Sequence, residues 1–283
     1  MNNSSAKRLS EILAIEIRER YGVDSGEAVR AKIEELILSD TSSSTFDQYV
    51  ELSKTKNHNA LWQKIIEKIT IHESYFQRNE NILNAVAKTV DEILSEKKTL
   101  RIWSVPCATG EEAYDLAFIV AECVYYQNYG TKKLNDKLLE DLSLDHIYIY
   151  GTDISETSLK YAKLGQYNDL AMGALRKLDP VRRRYFFNQT PDYYEVKPKI
   201  KRMVKFVVTN VIDPPLQSNF DIILCRNMLI YFSDEQKKKC QENLAKALVP
   251  GGRLFLGSVD PFLLNPDDFT QHTDDQSIWY QKK

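Results

Sequence analysis

Two textures in one chain predict an α/β protein: a helical N-terminal domain, then a doubly wound, mostly parallel sheet of the Rossmann-like kind with a small antiparallel β insertion. The first texture is a set of apolar residues at helical spacing over residues 1–70. The second, from Leu100 onward, is a series of short β-rich runs alternating with helical patterns, the alternation that produces parallel strands joined by crossover helices. A third observation, an aromatic and proline-punctuated stretch at about 166–201 that breaks the alternation, predicts the insertion.

In the first part Leu9, Ile12, Leu13 and Ile17, then Val29, Ile33, Leu36 and Ile37, then Leu61, Trp62, Ile65, Ile66 and Ile69 fall on helical faces. The breaks "YGVDSGE" and "SDTSSST" are rich in residues that cap helices or compete for their backbone bonds. Residues 71–283 form the second domain. Its strands are "LRIWSV", "HIYIYGT", "VKFVVTN", "FDIILCR" and "GRLFLGS", with helices at Glu111–Tyr126, Ser155–Lys163 and Asp234–Leu248. The tail "QSIWYQKK" reads as a last, antiparallel strand. Within the insertion, "LDPVRRRYFFNQTPDYYEVKPKIKR" reads as a helix followed by small antiparallel strands. It is also the basic part of the chain, with Arg176, Lys177, Arg182, Arg183, Arg184, Lys199, Lys201, Arg202 and Lys205.

Composition excludes several classes of function. A chain of 283 residues with 43% hydrophobic content buries a real core. A net charge of -2 gives no global attraction to nucleic acid or anionic lipid, so no stable nucleic-acid partner is expected. Cys107, Cys123, Cys225 and Cys240 form no CxxC pair and the four histidines no zinc pattern, so reduced thiols and no metal are expected. The N-terminus "MNNSSAKRLS" lacks an apolar signal region, and no run is long and uncharged enough to span a bilayer. The expectation is a cytoplasmic protein without membrane insertion.

Open α/β sheets bind ligands beyond the carboxyl ends of their strands, so the residues where each run stops are the candidate site. They are "PCATGEE" after the first, Asp153 after the second, Asn210-Val211 after the third and Arg226-Asn227 after the fourth. An acid placed like Asp153 accepts hydrogen bonds from ribose hydroxyls; the alternative is that "DIS" caps the next helix. The first turn lacks GxGxxG, and Glu111 and Glu112 stand where phosphates would sit, which disfavours a dinucleotide. Those acids would welcome a ligand with a cationic amino group and a sulfonium, as in S-adenosyl-L-methionine. Their alternative role is first-turn stabilisation of the helix dipole.

The motifs "ESYFQR", "IWSVPCATGEEAYDLAFIV", "IYGTDISETSLKYAKLGQY", "FVVTNVID" and "FDIILCRNMLIYF", followed by "LVPGGRLFLG", strongly resemble the chemotaxis-receptor methyltransferases, the CheR family, over about Ala60 to Lys283. The resemblance implies S-adenosylmethionine-dependent methylation of glutamate side chains on chemoreceptor cytoplasmic helices, giving glutamyl methyl esters and S-adenosyl-L-homocysteine. The family's Asn-x-Thr-x-x-x-Arg element reads His72, Ser74 and Arg78 here, with Gln77 in place of a second phenylalanine. Serine keeps the hydroxyl of threonine, and histidine keeps part of the hydrogen-bonding repertoire of asparagine. The family's Gly-Glu-Glu falls on Gly110, Glu111 and Glu112, its acid on Asp153, its Asn-Leu on Asn210-Val211 and its Cys-Arg-Asn-x-x-x-Tyr on Cys225, Arg226, Asn227 and Tyr231. By resemblance His72, Ser74, Arg78, Glu111, Glu112, Asp153, Asn210, Val211, Arg226 and Asn227 hold the cofactor, and Arg78 and Tyr231 lie beside the transferring methyl as the catalytic pair. Some members hold a receptor C-terminal tether with a Gly-x-Gly-x-x-Arg loop in the insertion. Here "FFNQTPDYYEV" lacks that pattern, so a tether-independent enzyme is expected. The alternatives are a cofactor-binding regulatory module without turnover and a methyltransferase for another substrate, such as RNA or a small molecule.

Overall fold

The computed structural model describes residues 3–40, 43–52, 60–70, 73–131, 134–135, 139, 142–274 and 276–283. His72 lies outside the described residues. Helices α1 (Asn3–Tyr21), α2 (Glu27–Ser39), α3 (Ser43–Leu52) and α4 (Ala60–Ile69) make up the N-terminal part. Their predicted faces bury Leu9, Leu13, Ile17, Ile33, Ile37, Trp62, Ile65, Ile66 and Ile69 in one core with Tyr21 and Tyr49. Ile12, assigned to the same face, is exposed.

Helix α5 (Glu80–Glu96), which the sequence reading did not place, leads into β1 (Leu100–Ser104) and buries Ile82, Leu83, Val86 and Val90. There follow α6 (Glu111–Tyr129), β2 (Ile147–Asp153) and α7 (Glu156–Leu164). The insertion comprises β3 (Gln166–Tyr167), α8 (Pro180–Phe186), β4 (Phe187–Gln189), β5 (Tyr194–Val196) and α9 (Pro198–Lys201), with its strands in the antiparallel order β3-β5-β4. A helix followed by small antiparallel strands is what its composition predicted. The chain then runs through β6 (Val204–Val208), β7 (Phe220–Cys225), α10 (Asp234–Ala247), β8 (Leu248–Leu256), β9 (Phe269–Asp274) and β10 (Ser277–Lys282).

The main sheet has the order β6-β2-β1-β7-β8-β10-β9, with the first five strands parallel. The tail is an antiparallel strand as expected, but it is not the last in the sheet: β10 lies between β8 and β9. The missed edge strand, "FTQHTD", is polar and leaves most of its side chains exposed, so it carries no hydrophobic signature. One face of the sheet packs on α5, α6 and the insertion. The other packs on α10. β7 is buried along its whole length, as a central parallel strand should be.

From β1 the chain winds outward through β2 to β6, then returns to β7 on the other side of β1. The carboxyl ends of β1 and β7 therefore flank the switch point, where such sheets open a crevice. The helical part is fastened beside it. Asp24 N–H donates to the Tyr231 carbonyl at 2.7 Å, Asn210 Nδ2 donates to the Arg20 carbonyl at 2.6 Å, and Val23 pairs with Phe232 in an antiparallel bridge.

Candidate active site

Past β1 the backbone is held against β2. Cys107 N–H donates to the Thr152 carbonyl and Ala108 N–H to Asp153 Oδ2, each at 2.9 Å. Gly110 closes this turn at φ +96°, and a Cβ there would lie 2.8 Å from that of Ala162. Only glycine satisfies both the left-handed backbone and the close approach of α7. α6 then begins at Glu111.

Two connected lobes make up the crevice. An apolar lobe of about 320 Å³ is lined by Val29, Ile69, Val105, Ile154, Val211 and Phe232, with Asp153 and Asn210 in its wall. A polar lobe of about 110 Å³ is lined by Ser74, Arg78, Glu112, Asp115 and Arg226. Pro106, Ala108, Asn227, Ile230 and Tyr231 line both and form the joint. A larger open groove of about 690 Å³ between α5, α6 and α8 contains none of the predicted site residues.

Asp153 stands at the wall of the apolar lobe and is held there by backbone donors. It is buried, its oxygens accept from Ala108 and Ser155 N–H groups at 2.9 Å, and it still lines the apolar lobe. Ser155, rather than Asp153, caps α7 by accepting from Ser158 N–H at 3.1 Å. Asn210 and Val211 stand in the wall of the same lobe, Asn210 doubling as the tie to Arg20. Asn227 holds the joint in a left-handed conformation at φ +59°. Tyr231 is 37% exposed there, at the end of a short 3-10 turn.

On the polar side Arg226 is buried and pairs with Glu112 at 2.8 Å. It also donates to Asn79 Oδ1 at 2.9 Å and to the Arg78 carbonyl, so it fixes the segment that carries Arg78. Arg78 itself donates to the Glu73 carbonyl at 2.7 Å and lies 5.6 Å from the Tyr75 ring centre. Such a half-exposed guanidinium presents a planar donor fork to a carboxylate entering the lobe.

The two acids read as a joint counter-charge are placed differently by the structure. Glu111 is buried and is absent from the linings of both lobes. The Thr109 hydroxyl lies 2.9 and 2.8 Å from its oxygens and Ser74 also bonds to it, so its carboxylate turns back onto its own turn. Burial raises its pKa. Glu112 does line the polar lobe, but it is engaged by Arg226 and by the Ser104 hydroxyl at 2.7 Å.

Two acids escaped the sequence reading. Asp115, one turn further along α6, is 1% exposed; its Oδ2 accepts from Gln77 N–H at 2.6 Å and its Oδ1 has no partner. Burial pushes its pKa up to about 7 against the opposing pull of Arg182, the Gln77 bond and Arg226. An acid in "EEAYDLAFIV", on a helix otherwise apolar nearly all round, was the available signal. Asp260 accepts from Gly257 N–H at 3.0 Å and from the Asn227 backbone, and so braces the joint from β8.

The arrangement suits a nucleoside with a charged tail. The apolar lobe suits a base, the acid ending β2 suits ribose hydroxyls, and the polar lobe suits an amino-acid group. The residues match what S-adenosylmethionine would require, including an unpartnered buried carboxylate oxygen beside the lobe that would receive its cationic end.

The "CheR methyltransferase, SAM binding domain" family model matches residues 72–278. The chemotaxis protein methyltransferase of Vibrio parahaemolyticus is 32% identical over 258 residues, covering 90% of this chain and 88% of its own. That of Listeria monocytogenes is 30% identical over 256 residues, 89% of each chain. That of Campylobacter jejuni is 29% identical over 284 residues, covering 98% of this chain and 97% of its own.

Proposed function

The chain belongs to the CheR methyltransferase family, whose domain binds S-adenosylmethionine, and from that premise we propose that it methylates glutamate side chains on the cytoplasmic helices of chemoreceptors, giving glutamyl methyl esters. The observation that supports this reading best is the joint of the crevice. Tyr231 stands between the nucleoside lobe and the polar lobe, and Arg78 faces the polar side of that joint. A cofactor bridging the lobes would present its reactive centre between these two residues.

When bound, S-adenosylmethionine supplies a methyl group activated by its sulfonium charge. The protein's task is then placement. A glutamate with an ordinary pKa of roughly 4.3 is already an anion at neutral pH, so no residue must remove a proton from the nucleophile. Asp153, with Val211 and the apolar wall, holds the nucleoside, and the Ala108 and Ser155 bonds keep its carboxylate oriented. Arg78 orients the incoming carboxylate through its guanidinium fork, while Arg226 restrains Arg78 by bonding its carbonyl. Tyr231 shapes the methyl passage and, with Ile230, limits water around it, which favours a displacement that annihilates opposite charges.

The test is methyl transfer from labelled S-adenosylmethionine to receptor-bearing membranes, followed by mild base. Label released as methanol supports esterified glutamate. Label absent from the receptor but present on RNA or small-molecule fractions overturns the substrate assignment, and binding of S-adenosylhomocysteine without any transfer would make the protein a cofactor-sensing module.

A further inference from the structure

We propose that Arg176, in the insertion, is a positioning residue for Arg78 and acts through the ring of Tyr75, an assignment that rests on the methyltransferase reading above. Glu73, Ser74, Tyr75 and Arg78 all line the polar lobe. The backbone that presents Arg78 needs support. Gln77 and Asn79, on either side of it, stand in the left-handed region at φ +58° and +57°, which residues other than glycine populate sparingly. Such a conformation persists where surrounding contacts over-determine it. From the main domain, Asp115 accepts from Gln77 N–H at 2.6 Å, and Arg226 donates to the Arg78 carbonyl and to Asn79 Oδ1. The insertion supplies three more contacts: the Ala174 carbonyl accepts from Phe76 N–H at 2.9 Å, Asp179 N–H donates to Gln77 Oε1, and Arg176 Nη2 donates to Glu73 Oε1 at 2.8 Å.

Arg176 differs from the other holders because it reaches what the Arg78 side chain itself rests on. The Arg78 guanidinium bonds the Glu73 carbonyl at 2.7 Å and lies 5.6 Å from the Tyr75 ring centre. Arg176 grips both of those residues. It pairs with the Glu73 carboxylate, and its guanidinium carbon stacks 3.7 Å from the same ring centre. Arg176 is itself pinned, with Nη1 donating to the Met172 carbonyl at 2.7 Å. Lys177 brings a third cation to within 5.4 Å of the ring, so the ring and the nearby carboxylates must offset a gathering of like charge. Glu73 does so from outside, and the buried Glu111, bonded by Ser74, feels Arg176 from within. Without Arg176 the Tyr75 ring and the Glu73 side chain lose their anchor, and the Arg78 fork loses the surface that aims it. A lysine in its place would keep the charge but not the planar stack.

A double-mutant cycle on methyl transfer to receptor-bearing membranes tests this, together with NMR of the Arg78 Nε–Hε group in the ligand-free protein. Arg176→Ala should lower kcat/KM about tenfold, and Arg176→Lys nearly as much. In an Arg78→Ala background the same replacements should cost less than about twofold, because their effect passes through the side chain that is gone. Tyr75→Phe, which keeps the ring, should recover most of the rate that Tyr75→Leu loses. A tenfold loss repeated in the Arg78→Ala background would make Arg176 a docking or structural residue acting by itself and overturn the assignment. Should Arg176→Ala fail to fold, Arg176→Lys takes its place in the cycle. The NMR signal, identified by its absence from Arg78→Ala, should shift when Arg176 is replaced, and an unmoved signal would overturn the assignment as well. That readout needs no turnover and decides alone where Arg78→Ala is too slow to measure. A wild type that transfers no methyl while the signal still answers to Arg176 would sink the methyltransferase reading and leave the coupling standing.

Discussion

Asp153 shows how one side chain serves fold and site together. Its oxygens satisfy two backbone N–H groups while it lines the apolar lobe, so, on the proposed reading of that lobe as the nucleoside site, Asp153→Ala should abolish measurable S-adenosylhomocysteine binding and also cost about 1–3 kcal/mol of stability from the unpaired N–H groups. Calorimetry and urea unfolding of the same sample separate the two effects. Asp115 yields a prediction in pH. Its pKa is raised from 3.8 to about 7 in the fold, so the folded state holds this proton more tightly than the unfolded chain does. The stabilising contribution is whole below the unfolded value and is lost as pH rises through about 7. Asp115→Asn should therefore gain on the wild type by about 2–4 kcal/mol between roughly pH 4 and pH 7 and then hold level, read from urea midpoints across that range. A constant difference would show that the carboxyl is not titrating as the geometry requires. At this scale legibility was uneven for physical reasons. Asp153 and Asn227 could be read because strand ends are where such sheets bind. The division of labour between Glu111 and Glu112 could not, because it depends on which acid Thr109, Ser74 and Arg226 reach.

Among the elements, those with strong periodicity were legible and those defined by a neighbour were not. The five parallel strands and α6 carry their burial in their composition, whereas polar β9 exists because β10 offers it six paired positions. The role of α2 was equally hidden. Its buried Ile33 and Ile37 were readable as core, but Val29 on the same helix, together with the preceding Gly26, walls the apolar lobe of the sheet. Helix α2 therefore lines the apolar lobe as well as the N-terminal core. Val29→Asp should place a charge in that wall and weaken S-adenosylhomocysteine about tenfold while the unfolding midpoint moves little, because Val29 is only partly buried. Unchanged affinity would remove α2 from the site.

For the whole molecule, the basic insertion is less of a docking surface than its composition implied. Arg176 and Arg182 pair with Glu73 and Glu122 and tie the insertion to the rest of the chain, while Arg183 and Lys201 pair with Asp169 and Glu195 within it, so much of its charge is already engaged. The same segment bears on tethering. β5 is hydrogen-bonded on both sides, by β3 of two residues and β4 of three, and these outer strands offer a very short edge to an added peptide strand. The turn from β4 to β5 is closed on itself, with Thr190 N–H donating to the Tyr193 carbonyl at 2.9 Å and Tyr193 N–H returning to the Thr190 hydroxyl at 3.0 Å. Its sequence "TPDY" has none of the glycines that would let a peptide backbone approach. A receptor shortened at its C-terminus should accordingly be methylated at an initial rate within about twofold of the full receptor, and a peptide copying that terminus should give no binding heat. A drop of about tenfold or more on shortening would mean that the insertion captures the terminus despite its closed turn, since a tether acts by raising the local concentration of the acceptor at the crevice.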